Sequence, residues 1–564
     1  MISVQHKRFV ILFIILALIN ACSLPQTSPF ESIGEVDGPL ERSTPTVTIY
    51  EDGEWWKTAV FYQIFVRSFY DSDGDGIGDF RGLTEKLDYL NDGNPETDSD
   101  LGVTALWLMP IHPSPSYHGY DVTDYYNVNP DYGTLDDFRE FIEAAHQRGM
   151  KVIIDLVINH TSTQHPWFQQ SLDFQSPYDN YYIWQDENPG YGGPDGQKVW
   201  HRAANGKYYY ALFWDQMPDL NLKNPAVTEE IYKIVRFWLE DVGVDGFRLD
   251  AAKHLIEEES QQENTTLTHE WLAEFRAYYK SLNPQTMTVG EVWSNSFEAV
   301  RYVRNAELDM VFNFDLARSI LSNINNRNGA SLSNTLTFET RLFPIGSMGI
   351  FLTNHDQDRV MSVLMNDEGK ARLAAAVYLT SPGVPFIYYG EEIGLTGVGD
   401  HRNIRTPMHW SSARMAGFTS GTPWLFPKAD YTEKNVQNQL TSPDSILRFY
   451  INLIKIRGQS EALQSGQLYP LSSTSSSILT YARVSQNEQV LIMLNLSDQP
   501  QDKVTFRSLE GLNPGKYRLQ PLLGYEVAGN VSIDQSGALS DFEFPATIRA
   551  GDVLIYRLIQ IPEG

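Results

Sequence analysis

Eight short, β-rich apolar runs recur along the chain with helical patterns between them, and no other feature constrains the fold as tightly. They fall at residues 60–65, 105–109, 151–158, 244–249, 287–289, 310–314, 349–352 and 384–388, with helical periodicity at 136–147 and 229–242 in the gaps. Strands that alternate with helices must cross over to lie parallel, and eight such units close into a barrel ringed by helices. The expected class is therefore α/β, a (β/α)8 TIM barrel. Two stretches break the alternation. The gap after the third strand far exceeds an ordinary βα loop, and residues 161–221 within it are rich in Tyr, Trp, Gly and Pro. After residue 459 helical periodicity stops, and alternating runs at 478–482, 490–494 and 553–556 are separated by Asn, Gly and Ser turns, as in an antiparallel β-sandwich. The chain thus divides into a barrel (46–160 and 222–459), a small domain inserted after strand 3 (161–221), and a C-terminal antiparallel β-sandwich (460–564).

The formal charge of -28, from 43 basic and 71 acidic residues, argues against nucleic acid as a partner, because phosphate binding needs a basic face. A neutral polymer is compatible with it. Residues 1–22 read as an export signal, with Lys7 and Arg8 before an apolar run at 9–19 that is too short to span a bilayer comfortably. Cys22 is the only cysteine, so no intramolecular disulfide forms. Its position resembles a bacterial lipoprotein box, which implies an exported protein lipid-anchored to the cell envelope or cell surface, touching the membrane through that anchor only. Asn20 departs from the box, and an ordinary secreted protein with an incidental cysteine is the alternative. Residues 23–45, rich in Ser, Pro, Thr and Glu, read as a flexible tether.

Three of the apolar runs end on acids: Gly246-Phe247-Arg248-Leu249-Asp250, Val289-Gly290-Glu291-Val292-Trp293 and Phe351-Leu352-Thr353-Asn354-His355-Asp356. Side chains at the C-terminal ends of barrel strands project into one shared site. A single strand-end Asp is more often a helix cap or turn residue; three with polar neighbours form a candidate catalytic set. Arg248 lies two residues before Asp250 and points to the same face. Elsewhere, Asp71, Asp73, Asp75 and Asp79, interleaved with Gly74, Gly76 and Gly78, repeat the spacing of a calcium loop, with Ile77 offering a carbonyl. Gly82 stands where an EF-hand has Glu, so the loop is not an EF-hand.

These segments, in this order, together with Asp155-Leu156-Val157-Ile158-Asn159-His160, Met217-Pro218-Asp219-Leu220-Asn221 and Gly119-Tyr120-Asp121, resemble the alpha-amylase family of glycoside hydrolases from about Trp56 to the C-terminus. The resemblance implies a retaining enzyme with Asp250 as nucleophile, Glu291 as general acid and base, and Asp356 holding the distorted sugar. It implies that His160 and His355 hydrogen-bond the sugar before the scissile bond, that Tyr120 stacks on its ring, and that Asp155 is structural support. Lys253 and His254 are similar to residues of starch-cleaving endo-acting members that bind sugars on the leaving-group side. A second calcium site of Asn159, Asp219 and the His254 carbonyl rests on the resemblance alone. The expected activity is cleavage of internal α-1,4 bonds in starch, amylose or maltooligosaccharides by a calcium-binding monomer. Arg405-Thr406-Pro407-Met408-His409-Trp410 is similar to the oligo-1,6-glucosidase branch instead, and Asp121 to an exo-acting Tyr-Asp pair. An exo-acting alpha-glucosidase or neopullulanase-like enzyme therefore remains an alternative, as does an inactive glucan-binding surface lipoprotein.

Overall fold

The computed structural model describes residues 53–258 and 260–562; the export signal, the tether and Cys22 lie outside them. Eight parallel strands form a closed barrel: β1 (Phe61–Ile64), β2 (Ala105–Leu108), β3 (Lys151–Leu156), β4 (Gly246–Leu249), β5 (Met287–Gly290), β6 (Met310–Phe312), β7 (Met348–Ile350) and β8 (Val384–Tyr388), with β8 pairing back to β1. All eight expected runs are strands. Three stop early. Residues 313–314 leave β6 because Asn313 caps the helix Phe314–Asn325, its side chain accepting from Leu316 N; β3 and β7 likewise end two residues before their apolar runs do.

The period of two along each strand sorts the side chains into two cores. Phe61, Trp107, Ile153, Val289, Phe312 and Phe386 share the inner cluster, with Phe61 and Phe386 stacked at 4.3 Å between ring centroids. Their neighbours Tyr62, Leu106, Ile154, Phe247, Val311 and Ile387 belong to the outer cluster under the helices. One further step along the inward phase is polar: Gln63, Asp155, Arg248, Asp250 and Glu291. The mouth of the barrel is thus lined by the continuation of the pattern that fills its floor.

Helices follow the same local logic. Leu135–Gln147 starts at a capping box of Thr134 and Asp137 and buries Phe138, Phe141, Ile142 and Ala145, one stripe at helical spacing. Pro225–Arg236 opens with Pro at its first position, runs on through a π-helical turn (Phe237–Val242), and stops at Gly243, whose φ of 96° suits a residue without Cβ. Among the described residues no helix is long and apolar enough to cross a membrane.

Between β3 and β4 lies a three-stranded antiparallel sheet (Trp184–Gln185, Tyr208–Tyr210, Trp200–Arg202). The C-terminal region is a nine-stranded antiparallel sheet around its own apolar cluster. Its consecutive strands Gln467–Pro470 and Ser472–Ser473 occupy opposite edges, so the sheet folds over on itself, as a sandwich does.

Candidate active site

The loops after β4, β5 and β7 bring Asp250, Glu291 and Asp356 to one place, and a single buried guanidinium organises it. Arg248, 1 % exposed, donates through Nη1 to Asp250 Oδ1 at 2.7 Å and through Nη2 to Glu291 Oε2 at 2.8 Å. Nη1 also pairs with Asp155, its register partner on β3. Asp155 is fully buried and accepts from Trp107 Nε1 at 3.1 Å. One cation facing three buried carboxyls leaves an excess of negative potential, which is costly unless protons are retained.

That cost sets the protonation of the site. Burial pushes Glu291 above the usual carboxylate range; Arg248 opposes this, and the charges of Asp250 and Asp356 reinforce it. Burial likewise raises Asp250 against the pull of Arg248, and raises Asp155 to about 7. Asp356 goes the other way. Burial favours its neutral form, but contact with His355 and the guanidiniums of Arg405 and Arg248 outweigh it and hold the carboxyl well below its ordinary value. Arg405 Nη2 donates to Asp356 Oδ1 at 2.8 Å, and His355 Nε2 lies 3.0 Å from Oδ2. Carboxyls whose environments drive them apart in this way suit acid and base roles.

The backbone beside Asp250 is also unusual. Ala251 has a φ of 49°, a left-handed conformation that costs a residue with a Cβ about 1–2 kcal/mol. It aims its N–H at Glu291 Oε2, 3.2 Å away.

Around the carboxyls, His355 is fully buried, with Gln63 Nε2 donating to Nδ1 at 2.7 Å and Tyr120 OH 2.6 Å from Nε2. This leaves the proton on Nε2, facing Asp356. The Tyr120 ring lies nearly parallel to His355, at 12°. His160 sits behind Tyr120: Nε2 donates to the Tyr120 carbonyl at 3.1 Å, Nδ1 lies 3.3 Å from Asn159 Nδ2, and burial lowers the imidazole to about 4. Asp121 is buried and its Oδ1 accepts from Ser114 Oγ at 2.6 Å and from Ser116. Lys253 Nζ pairs with Glu263 at 2.5 Å, and His254 Nδ1 lies 2.8 Å from the Gln262 carbonyl. Phe213, half exposed, stands edge to face with both His160 and His254.

Arg405, Gln63 and Phe213 were not singled out from the sequence as site residues. A polar Gln63 within the apolar run Phe61–Ile64 is a readable signal; Arg405 is visible only as part of a family motif, with its contact to Asp356 49 positions away, and Phe213 lies in irregular chain with no signal.

At the expected calcium loop, oxygens of Asp71, Asp73 and Asp79 lie within 4.8 Å of one another. Asp75 stands outside this group; its Oδ1 turns back to accept from Ile77 N at 2.8 Å. An all-oxygen donor set of this charge fits a hard cation such as calcium. At the second place, Asn159 Nδ2 donates to Asp219 Oδ2 at 3.1 Å, while the buried Asn159 Oδ1 has no partner. Burial, reinforced by the charge of Glu257, pushes Asp219 up. An orphaned oxygen beside a buried carboxylate also fits a cation.

A closed parallel barrel that gathers such carboxyls about one arginine at its C-terminal mouth has the parts of an enzyme that cleaves glycosidic bonds. Comparison with known proteins agrees. The model of the alpha-amylase catalytic domain matches residues 63–466. Alpha-amylase 3 of Dictyoglomus thermophilum is 43% identical over 450 residues, covering 78% of this chain and 85% of that protein. The oligo-1,6-glucosidase of Parageobacillus thermoglucosidasius is 35% identical over 521 residues, covering 79% and 91%. The crystal structure of the alpha-amylase from H. orenii superposes with a TM-score of 0.77 at 39% identity, covering 89% of this chain and 99% of that one. The chain belongs to the alpha-amylase family of glycoside hydrolases.

Proposed function

We propose that this chain is a retaining alpha-amylase that cleaves internal α-1,4 bonds of α-glucans. The observation that carries the reading is Arg248 bridging Asp250 and Glu291, because a retaining mechanism needs its two carboxyl groups close together. Asp250, held by Nη1, attacks the anomeric carbon as Glu291 donates its proton to the leaving oxygen. Glu291 then takes a proton from water as the glycosyl–Asp250 ester is hydrolysed. The burial that raises Glu291 favours its protonated form, which a general acid needs. Asp356, kept ionised, accepts hydroxyls of the distorted ring and offsets its developing positive charge.

On this reading Lys253, paired with Glu263, and His254, beside the Gln262 carbonyl, bind sugars on the leaving-group side and favour endo attack. The exo-acting alternative leans on Asp121, but one of its oxygens is already occupied by two serines. Amylose viscosity is expected to collapse before much reducing sugar accumulates. Glucose as the dominant early product, with viscosity falling only in step, would overturn the endo reading in favour of an exo-glucosidase.

Asp71, Asp73 and Asp79 would hold one calcium ion, and Asn159 and Asp219 with the His254 carbonyl a second; bound calcium would supply positive charge that offsets the clustered carboxylates. Metal bound only to the folded state at a hundred times its Kd adds about 2.7 kcal/mol. Chelation should therefore lower the melting temperature, and calcium, not magnesium, should restore it. An unchanged melting curve after verified metal removal would refute the assignment.

A further inference from the structure

Large apolar side chains are mostly buried in this protein, yet Trp293, Phe297 and Phe338 are 43%, 62% and 43% exposed. Trp293 and Phe297 are four residues apart in the chain, and each has an aromatic partner. Trp293, two residues past Glu291, lies flat on Phe314 with centroids 4.6 Å apart and planes at 10°. Phe297 meets Phe338 edge to face at 5.5 Å. Between these pairs the backbone is pinned: Ser296 N donates to Asp315 Oδ2 at 2.9 Å and Ser296 Oγ to Glu339 Oε1 at 2.9 Å. Asn295 caps the helix Ser296–Arg304, and Phe338 sits on the neighbouring helix Gly329–Leu342. The rings are therefore carried on rigid elements, and much of their apolar surface stays open to solvent even after these pairings.

We infer that Phe297 and Phe338, reached from the catalytic mouth by way of Trp293, form an auxiliary stacking platform for the leaving-group arm of a long α-glucan. The inference rests on the glucan-cleaving reading above. Continuity with the cleft chooses the occupant: the track starts at the strand end that carries Glu291, the group that protonates the leaving sugar. Chemistry agrees. Pyranose rings present C–H faces that lie on exposed aromatic rings, and neutral glucan suits a chain whose net charge of -28 repels polyanions.

The test is the double variant Phe297→Ala/Phe338→Ala, whose exposed positions put little of the core at risk. Its KM for amylose should rise about three- to tenfold, with kcat/KM on a short aryl maltotrioside unchanged. In the Asp250→Asn background, the double variant should migrate through amylopectin gels with less retardation than its parent. The Phe297→Tyr/Phe338→Tyr variant, which keeps the aromatic faces, should restore both. Unchanged amylose KM and retardation in the double alanine variant would overturn the platform. So would loss of a concentration-dependent dimer with no change in amylose kinetics, since the patch would then join two copies of the chain. Failure of the glucan reading is distinguishable, because the wild-type protein would then not cleave amylose at all.

Discussion

Asp250→Asn is expected to lower turnover by on the order of 10⁴-fold or more while leaving glucan binding nearly intact. The amide keeps the shape of the carboxylate and can still accept from Arg248 Nη1, but it cannot form the glycosyl ester. The same substitution should leave the fold as stable as the wild type or slightly more so. Burial already disfavours the charge on Asp250, so a neutral replacement relieves part of the electrostatic excess around Arg248. Steady-state rates on amylose beside urea unfolding curves would measure both effects. Wild-type activity in this variant would sink the assignment of the nucleophile.

Arg248→Met should damage both function and fold. Asp155, Asp250 and Glu291 lose their common cation, and breaking a buried pair by removing one partner costs about 3–5 kcal/mol. Some of that loss is recovered at low pH. Asp155 already binds its proton with a pKa near 7, and without the guanidinium it rises further. A carboxyl raised in the folded state is bound to more protons folded than unfolded, so its destabilisation grows as pH rises above the unfolded value and vanishes below it. The variant should therefore lie closest to the wild type in stability near pH 4 and fall away toward pH 8. Turnover should drop at least about 10²–10³-fold, because Asp250 and Glu291 are no longer oriented. A variant equal to the wild type in stability across this range would contradict the role given to Arg248.

Much of this architecture was legible because it follows from local periodicity. Every barrel strand lay within or across an apolar run found by reading along the chain, and the acids were visible because each closes such a run. The errors came where a polar residue redirects the backbone, as Asn313 does by capping a helix where the apolar pattern continues through Phe314. Long-range pairing was the larger gap. The C-terminal strands Gly515–Leu523 and Val553–Gln560 are neighbours, but nothing in either names the other. The Arg405 contact with Asp356 was hidden likewise, since the segment around Arg405 was readable only as a family motif. In the calcium loop the spacing of the four aspartates was clear, but only the folded loop shows that the oxygens of Asp71, Asp73 and Asp79 gather while Asp75 stands apart.

The most direct test of the double-displacement account is the anomeric configuration of the first product. Proton NMR spectra recorded within the first minutes of amylose cleavage, before mutarotation, should show the new reducing ends as the α-anomer, because two inversions at the same carbon restore the starting configuration. Accumulation of the β-anomer first would mean a single displacement by water, and Asp250 would then not be a nucleophile.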